Sequence, residues 1–363
     1  MSFAELGSEF WSVPMGDTAA LLDANIQFVL SGRTALELVA RDLIAERKIR
    51  SVCLPAYCCD SMLFPFRNMG LELRFYDVVP SAVGVQRLLS DNHGCDVVLL
   101  LDYFGFSQAE STALAEREHN RGTAVILDRV QSMYSESETI KFVDYSITSW
   151  RKWFFSCAAA AAKHSGAWSV KPSKPANARY LSLRKEAAEK KASYLAHGVG
   201  EKQAFLDGFA QAEELLDTDF SDYAADSDSV DALRHLDIPF LKQRRRENAD
   251  VVYEALSELD NQQIRPLFSQ MGVNDTPLFV PVLVDPAIRA YLSRFLNQNQ
   301  VYCPVHWLDA QTGGGAALYA AELSLLCDQR YTTVDIQREM NLIKEFFKEY
   351  ACYLLSPGLR EIK

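Results

Sequence analysis

Several features by which a sequence declares its partners are scarce here. Positive charge is one: 37 lysines and arginines stand against 48 aspartates and glutamates, a formal net charge of -11. A nucleic-acid binder needs a basic face, and docking on an anionic membrane needs the same, so neither partner is expected. Long hydrophobic runs are missing too. The longest, from Trp153 to Ala162, reaches about half of the roughly 18 apolar residues that a bilayer span requires. The opening residues, MSFAELGSEFW, carry two glutamates and no basic cluster, so no secretory signal is expected. Without one, eight cysteines read as reduced thiols in the cytoplasm. No CxxC or HExxH pair is present, so no metal site is expected, and neither a GxGxxG nor a P-loop pattern occurs.

What is present is an ordinary soluble composition, 48% hydrophobic and 23% charged, in 363 residues, enough for about two domains. Ser31 to Ile49 carries apolar residues at helical spacing behind a serine suited to cap it. Ser51 to Pro55 and Leu71 to Tyr76 read as strands. Asp96 to Asp102 and Ala124 to Asp128 are continuous apolar runs ending in aspartate, the pattern of parallel strands covered on both faces. A helix is expected at Ser111 to Arg121 and a strand at Phe142 to Thr148. The fold class is therefore α/β, doubly wound. Long helices are expected between Lys171 and Asp226, and a loop at Asp217 to Asp231. A smaller α/β unit follows: a helix over Leu241 to Leu259, strands at Leu278 to Val284 and Val301 to Pro304, and a closing helix from Asp335 to Leu355. Domains are expected at 1–225 and 226–363. The alanines at 158–162 fit a strand or a helix, because periodicity is silent within one residue type.

Ligands of open α/β sheets sit beyond the carboxyl ends of the strands. Three segments put polar residues there. Asp128 ends a strand, as a turn cap or as a site carboxylate. Asp144 to Lys152 leads from a strand through a Ser/Thr-rich turn to an aromatic, Arg151 and Lys152. A lysine there is either solvated or a nucleophile kept partly neutral by burial and positive neighbours. Ser31-Gly-Arg-Thr-Ala35 opens a helix, which is a plain N-cap or an anion site on free backbone N–H groups.

The order of these segments resembles the DegT/DnrJ/EryC1/StrS family of pyridoxal-phosphate (PLP) sugar aminotransferases. SGRTAL (31–36), LPAYCCDS (54–61), DYFGF (102–106), ILDRVQS (126–132), SITSWRKW (146–153), KQRRRENADVVYEAL (242–256) and VYCPVHW (301–307) carry the resemblance. It implies the PLP-dependent transferase fold of type I: a large domain with a mostly parallel sheet sandwiched by helices, and a smaller C-terminal α/β domain. It implies that Lys152 carries PLP covalently and shuttles a proton, that Asp128 pairs with the ring nitrogen, and that Gln131 lies near the phenolic oxygen. Gly32, Arg33, Thr34 and Ser149 would hold the phosphate, and His306 would stand close to the site. The implied reaction moves an amino group from glutamate or glutamine to a nucleotide-linked keto sugar, in a homodimer.

The chain also departs from that family. Cys59 aligns where an aromatic stacks on the cofactor, and Tyr57, expected on the same strand face, is the substitute. Asp102 replaces a histidine, and Ala224, Ala225 and Asp226 replace a partner-facing Asn-x-Arg. These changes leave two alternatives open: another PLP reaction on an amino compound, of lyase or decarboxylase type, or a member that binds PLP or a partner without turnover. Lys163 is a second lysine after the alanine run, lacking the Ser-Trp-Arg context. Most of the charge at Arg244 to Arg246 is expected on a solvated helix face.

Overall fold

The computed structural model describes residues 5–16, 25–259, 262–307 and 315–354. Thirteen strands occur among them: β1 (Leu6–Gly7), β2 (Ile26–Val29), β3 (Ser51–Pro55), β4 (Glu72–Ser81), β5 (Gly84–Leu88), β6 (Val97–Leu101), β7 (Ala124–Asp128), β8 (Tyr145–Ser149), β9 (Ala159–Lys163), β10 (Ile264–Pro266), β11 (Val280–Val284), β12 (Val301–Tyr302) and β13 (Glu322–Leu325). The helices are α1 (Gly32–Arg47), α2 (Phe64–Asn68), α3 (Ala109–Arg121), α4 (Ala178–His197), α5 (Lys202–Thr218), α6 (Ser227–Arg234), α7 (Ile238–Glu258), α8 (Pro286–Gln298), α9 (Ala316–Ala321) and α10 (Thr333–Leu354).

The uninterrupted apolar runs become the middle of one eight-stranded sheet, in the order β2-β9-β8-β7-β6-β3-β4-β5. Every residue of β3, β6 and β7 is buried, as strands covered on both faces must be. β4, β3, β6, β7 and β8 run parallel, and β5 and β9 run antiparallel to their neighbours. The alanine run is β9. Its backbone pairs with β2 on one side and β8 on the other, Val29 and Ser149 both facing Ala159. That register brings the start of α1 beside the end of β8. Ser31 caps α1, its Oγ accepting from the Thr34 N–H at 3.3 Å.

The loop expected over Asp217 to Asp231 contains α6. Asp226 caps it, accepting from the Ser229 N–H at 3.0 Å, so an acidic piece that looked like a linker is partly helical. A second apolar core gathers α7, α8, α10 and the antiparallel sheet β10-β11-β13. Leu6 belongs to this core and β1 pairs with β12. No helix among the described residues is long and apolar enough to cross a membrane.

Candidate active site

β7 and β8 deliver two of the expected residues to one edge of the sheet. Asp128 is the last residue of β7, opposite Ile147 of β8, and Lys152 follows β8 on a short 3-10 turn. The Asp128 carboxyl is 3% exposed and accepts one hydrogen bond, from the Val130 N–H at 2.8 Å. Burial, reinforced by the charge of Asp102, pushes it up to about 7, against that hydrogen bond and the field of Lys152. Lys152 stands exposed to solvent yet enclosed by protein, the situation of a side chain in an open cleft. Among the described residues nothing hydrogen bonds or ion-pairs with its ammonium. The adjacent Arg151 guanidinium, then desolvation, hold it below the ordinary lysine range, opposed by Glu213 and Glu9.

Ser149 ends β8 and is 2% exposed, yet its Oγ has no hydrogen-bond partner. Gly32 opens α1 so close by that a Cβ on it would lie 3.9 Å from the Ser149 Cβ. The first-turn N–H groups of α1 point out of the helix start, as at any helix N-terminus. The remaining phosphate candidates act differently. The Arg33 side chain turns to α5, donating to Glu213 at 2.9 Å and Asp217 at 2.7 Å. The Thr34 hydroxyl donates to the Phe220 carbonyl at 2.7 Å. Their backbone, not their side chains, faces the candidate anion position.

Gln131 is buried, and its Oε1 accepts from the Phe104 N–H at 2.9 Å, bracing a turn in which Phe104 adopts φ 58°. β3 ends at Pro55, so Tyr57 and Cys59 lie in the following bend and share no strand face, contrary to expectation. Tyr57 is fully buried between Tyr103 and Trp307, with ring centroids 5.6 and 4.9 Å away, and its hydroxyl donates to the His306 carbonyl. Cys59 is half-buried, its Sγ 3.0 Å from the Ser61 Oγ. His306 shares a hydrogen bond with Ser324 Oγ at 2.9 Å and packs edge-on against Phe104 at 5.4 Å. It joins the second core to the Phe104 turn rather than approaching Lys152 through any direct contact.

Lys163 ends β9, level with Tyr145 at the start of β8, and so lies at the opposite edge of the sheet from Lys152. Its ammonium is fixed by Asp42 at 2.8 Å, Glu46 at 2.6 Å and the Ala167 carbonyl at 2.7 Å, and these carboxylates raise it above the ordinary lysine range. A cation so bound is no nucleophile.

Several supporting residues escaped the sequence reading. Trp153 is buried and donates to the Val130 carbonyl at 2.9 Å, tying the turn that carries Lys152 to the segment after Asp128. Arg245 lies 4.5 Å above its ring and donates to Gln329 at 2.8 Å and to the Pro277 and Leu278 carbonyls at 3.1 and 2.9 Å. This corrects the solvated reading of the arginine run for its middle member, which is fully buried. The signal was available, since Leu241, Arg245, Ala249 and Val252 fall on one helix face. Glu213, which anchors Arg151, had no local signal; it reads as one more polar position of α5. A separate cleft of about 660 Å³ between β5, residues 106–110 and 268–275 is lined by none of these residues. Its Gln108, Glu110 and Asp275 side chains are engaged with backbone groups.

No protein-family model matches the sequence, and no curated protein matches it. Solved structures do. The aminotransferase TlmJ from Streptoalloteichus hindustanus is 17% identical with a TM-score of 0.64, over 90% of this chain and 86% of that one. DesI, solved with its TDP-sugar product, is 16% identical with a TM-score of 0.63, over 91% and 83%. The PLP form of the sugar aminotransferase Spr1654 from Streptococcus pneumoniae is 13% identical with a TM-score of 0.61, over 98% and 94%. Identities this low speak for architecture, and on that ground the chain has the type I fold of the PLP-dependent aminotransferases.

Proposed function

We propose that the protein is a PLP-dependent aminotransferase that moves an amino group from an amino acid, glutamate or glutamine, to a nucleotide-linked keto sugar. One observation carries the reading. Lys152 and Asp128 stand at adjacent strand ends, neither ion-paired among the described residues, with the lysine held below its ordinary range and the aspartate above it. The residues fit PLP. Asp128 is a buried carboxyl lacking a cation, which a protonated ring nitrogen would supply. The buried, unpartnered Ser149 Oγ and the open start of α1 suit a phosphate. Lys152 would hold the aldehyde carbon, and Gln131, buried beside the Phe104 turn, would lie near the ring's substituents.

When bound, PLP accepts the amino group and withdraws electrons from the carbon that bore it. The chain does the rest. Lys152 Nζ, kept partly neutral by Arg151, takes the proton from that carbon and returns it to the acceptor. Asp128, itself 3% exposed, stabilises positive charge opposite it. Trp153, pinned by Arg245 and the Val130 carbonyl, fixes the turn so that Lys152 Nζ stays in reach. The likeness to DesI and Spr1654 supports a sugar acceptor and PLP. We further propose a cytoplasmic homodimer, to be checked by light scattering.

The test is direct. The protein mixed with PLP is reduced with borohydride and digested, and the labelled peptide is sequenced. Label on Lys152, and 2-oxoglutarate released from glutamate, are the expected results. No label, or label on Lys163, would overturn the assignment. Lys152→Ala should abolish the label while Lys163→Ala keeps it.

A further inference from the structure

Glu322 and Ser324 stand two residues apart on β13, so both side chains leave the same face of the strand, while Leu323 and Leu325 enter the second core. Both polar residues are fully buried. A carboxylate in so dry a place must be met by donors. Among the described residues this one has two: the His306 N–H donates to Oε2 at 2.7 Å, and the Ser324 hydroxyl donates to Oε1 at 2.5 Å. The Ser324 N–H donates in turn to the Pro304 carbonyl at 2.9 Å. The segment that carries His306 is thus fastened to β13 at more than one point.

The protons can be counted. A serine hydroxyl has one to give, and here Glu322 takes it. His306 Nδ1 lies 2.9 Å from the same hydroxyl oxygen, which can then only accept, so Nδ1 carries the hydrogen. Glu322 itself is 3.8 Å from Nδ1, too far for a direct bond, and acts through the serine. A neutral imidazole has a single N–H, so Nε2 keeps its lone pair. Free histidine in water favours the opposite arrangement. Nε2 meets no hydrogen-bond donor among the described residues. The rings of Phe104, Phe279 and Trp307 pack around the imidazole at 5.4, 5.4 and 5.2 Å, and 15% of the side chain stays open. Phe104 is the residue whose N–H Gln131 holds, three positions after Asp128. One side chain therefore separates His306 from the candidate site.

We propose that Glu322 and Ser324 are positioning residues that hold His306 as its Nδ1–H tautomer, so that Nε2 is offered as a hydrogen-bond acceptor to a hydroxyl of the bound substrate. The tautomer follows from the hydrogen bonds alone. Its use rests on the function proposed above, in which the amino acceptor is a sugar and so carries hydroxyls.

The experiment uses the full chain with nitrogen-labelled histidine, at about pH 9, where an ordinary imidazole is neutral. Long-range proton–nitrogen spectra, with His306 identified by its loss in His306→Gln, should find the hydrogen on Nδ1. Glu322→Gln should invert this. Its amide oxygen must stay with the His306 N–H, which turns the NH₂ toward Ser324; the serine then gives its proton to Nδ1, and the imidazole hydrogen moves to Nε2. Ser324→Ala removes the link and should return the mixture found in water. Hydrogen on Nε2 in the unaltered chain, or a tautomer unmoved by Glu322→Gln, would overturn the proposal. Should the glutamine variant fail to fold, Ser324→Ala decides in the same way. A merely structural role for either residue would leave the tautomer where it was. The use is read by titrating the PLP-loaded chain with thymidine diphosphate glucose. The dissociation constant should rise about tenfold in Glu322→Gln while borohydride still labels Lys152, and an unchanged constant would remove the substrate contact. No label on Lys152 in the unaltered chain sinks the function proposed above and leaves the tautomer standing. The wrong tautomer with the label in place sinks the present inference alone.

Discussion

Replacing Asp128 by asparagine should stabilise the cofactor-free protein while destroying its function. The carboxyl lies at about 7 in the folded chain against an ordinary value of 3.8. The folded protein therefore binds this proton more tightly than the unfolded chain does. Stability is lost as pH rises from about 4 to about 7, and the full penalty remains above that. Each pH unit of the gap is worth about 1.4 kcal/mol, so the penalty approaches about 4 kcal/mol. Asparagine has the same shape, keeps an oxygen for the Val130 N–H, and carries no charge to desolvate. For a chain of 363 residues, about 2 cal/mol/K per residue gives an unfolding entropy of about 0.8 kcal/mol/K. The gain then corresponds to about 5 °C in melting temperature above about pH 7, shrinking steadily toward about pH 4. Thermal unfolding of both chains across that range, without PLP, is the assay. A pH-independent difference, or an asparagine variant less stable near pH 8, would refute the reasoning. A protonated ring nitrogen against Asp128 would offset part of this cost when PLP binds, the trade expected of a strained, function-bearing carboxyl.

Three further outcomes follow from particular contacts. Lys163→Met strands the fully buried Asp42 without its cation, so denaturant titration should find a loss of about 3–5 kcal/mol, with PLP still fixed to Lys152. Ser149→Ala removes a hydroxyl with no partner in the free protein; its melting temperature should stay put while PLP affinity falls about tenfold, as a fluorescence titration would measure. Gly105→Ala drives a Cβ to 2.2 Å from the Thr276 carbonyl at φ 89°, and should cost several kcal/mol by calorimetry, on the order of a large core substitution.

The candidate site was partly legible for a physical reason. Parallel strands buried on both faces need continuous apolar runs, and polar residues at their ends must stand at the edge where ligands bind. Asp128, Ser149 and Lys152 announce themselves in this way, as does the cap at Ser31. Side-chain direction was not legible. Arg33 and Thr34 sit at the helix start as expected, but α5 and the Phe220 carbonyl claim their side chains from 180 or more residues away. Tyr57 and Cys59 were placed on a strand that in fact stops at Pro55.

The sequence by itself therefore determined the elements, the class of fold, and which strand ends carry polar groups, because these follow from local periodicity and capping. Only the tertiary structure decided which charges meet. The alanine run became a strand because β2 and β8, distant in the chain, supply backbone partners on both of its sides. Arg245 went inside because Trp153, Gln329 and two carbonyls surround it. Asp128 came to lie level with Ile147 of β8, and so near the turn that carries Lys152, because two parallel strands pair there. Each of these depends on residues distant in the chain, and electrostatics in a dry interior are set by such neighbours rather than by sequence spacing.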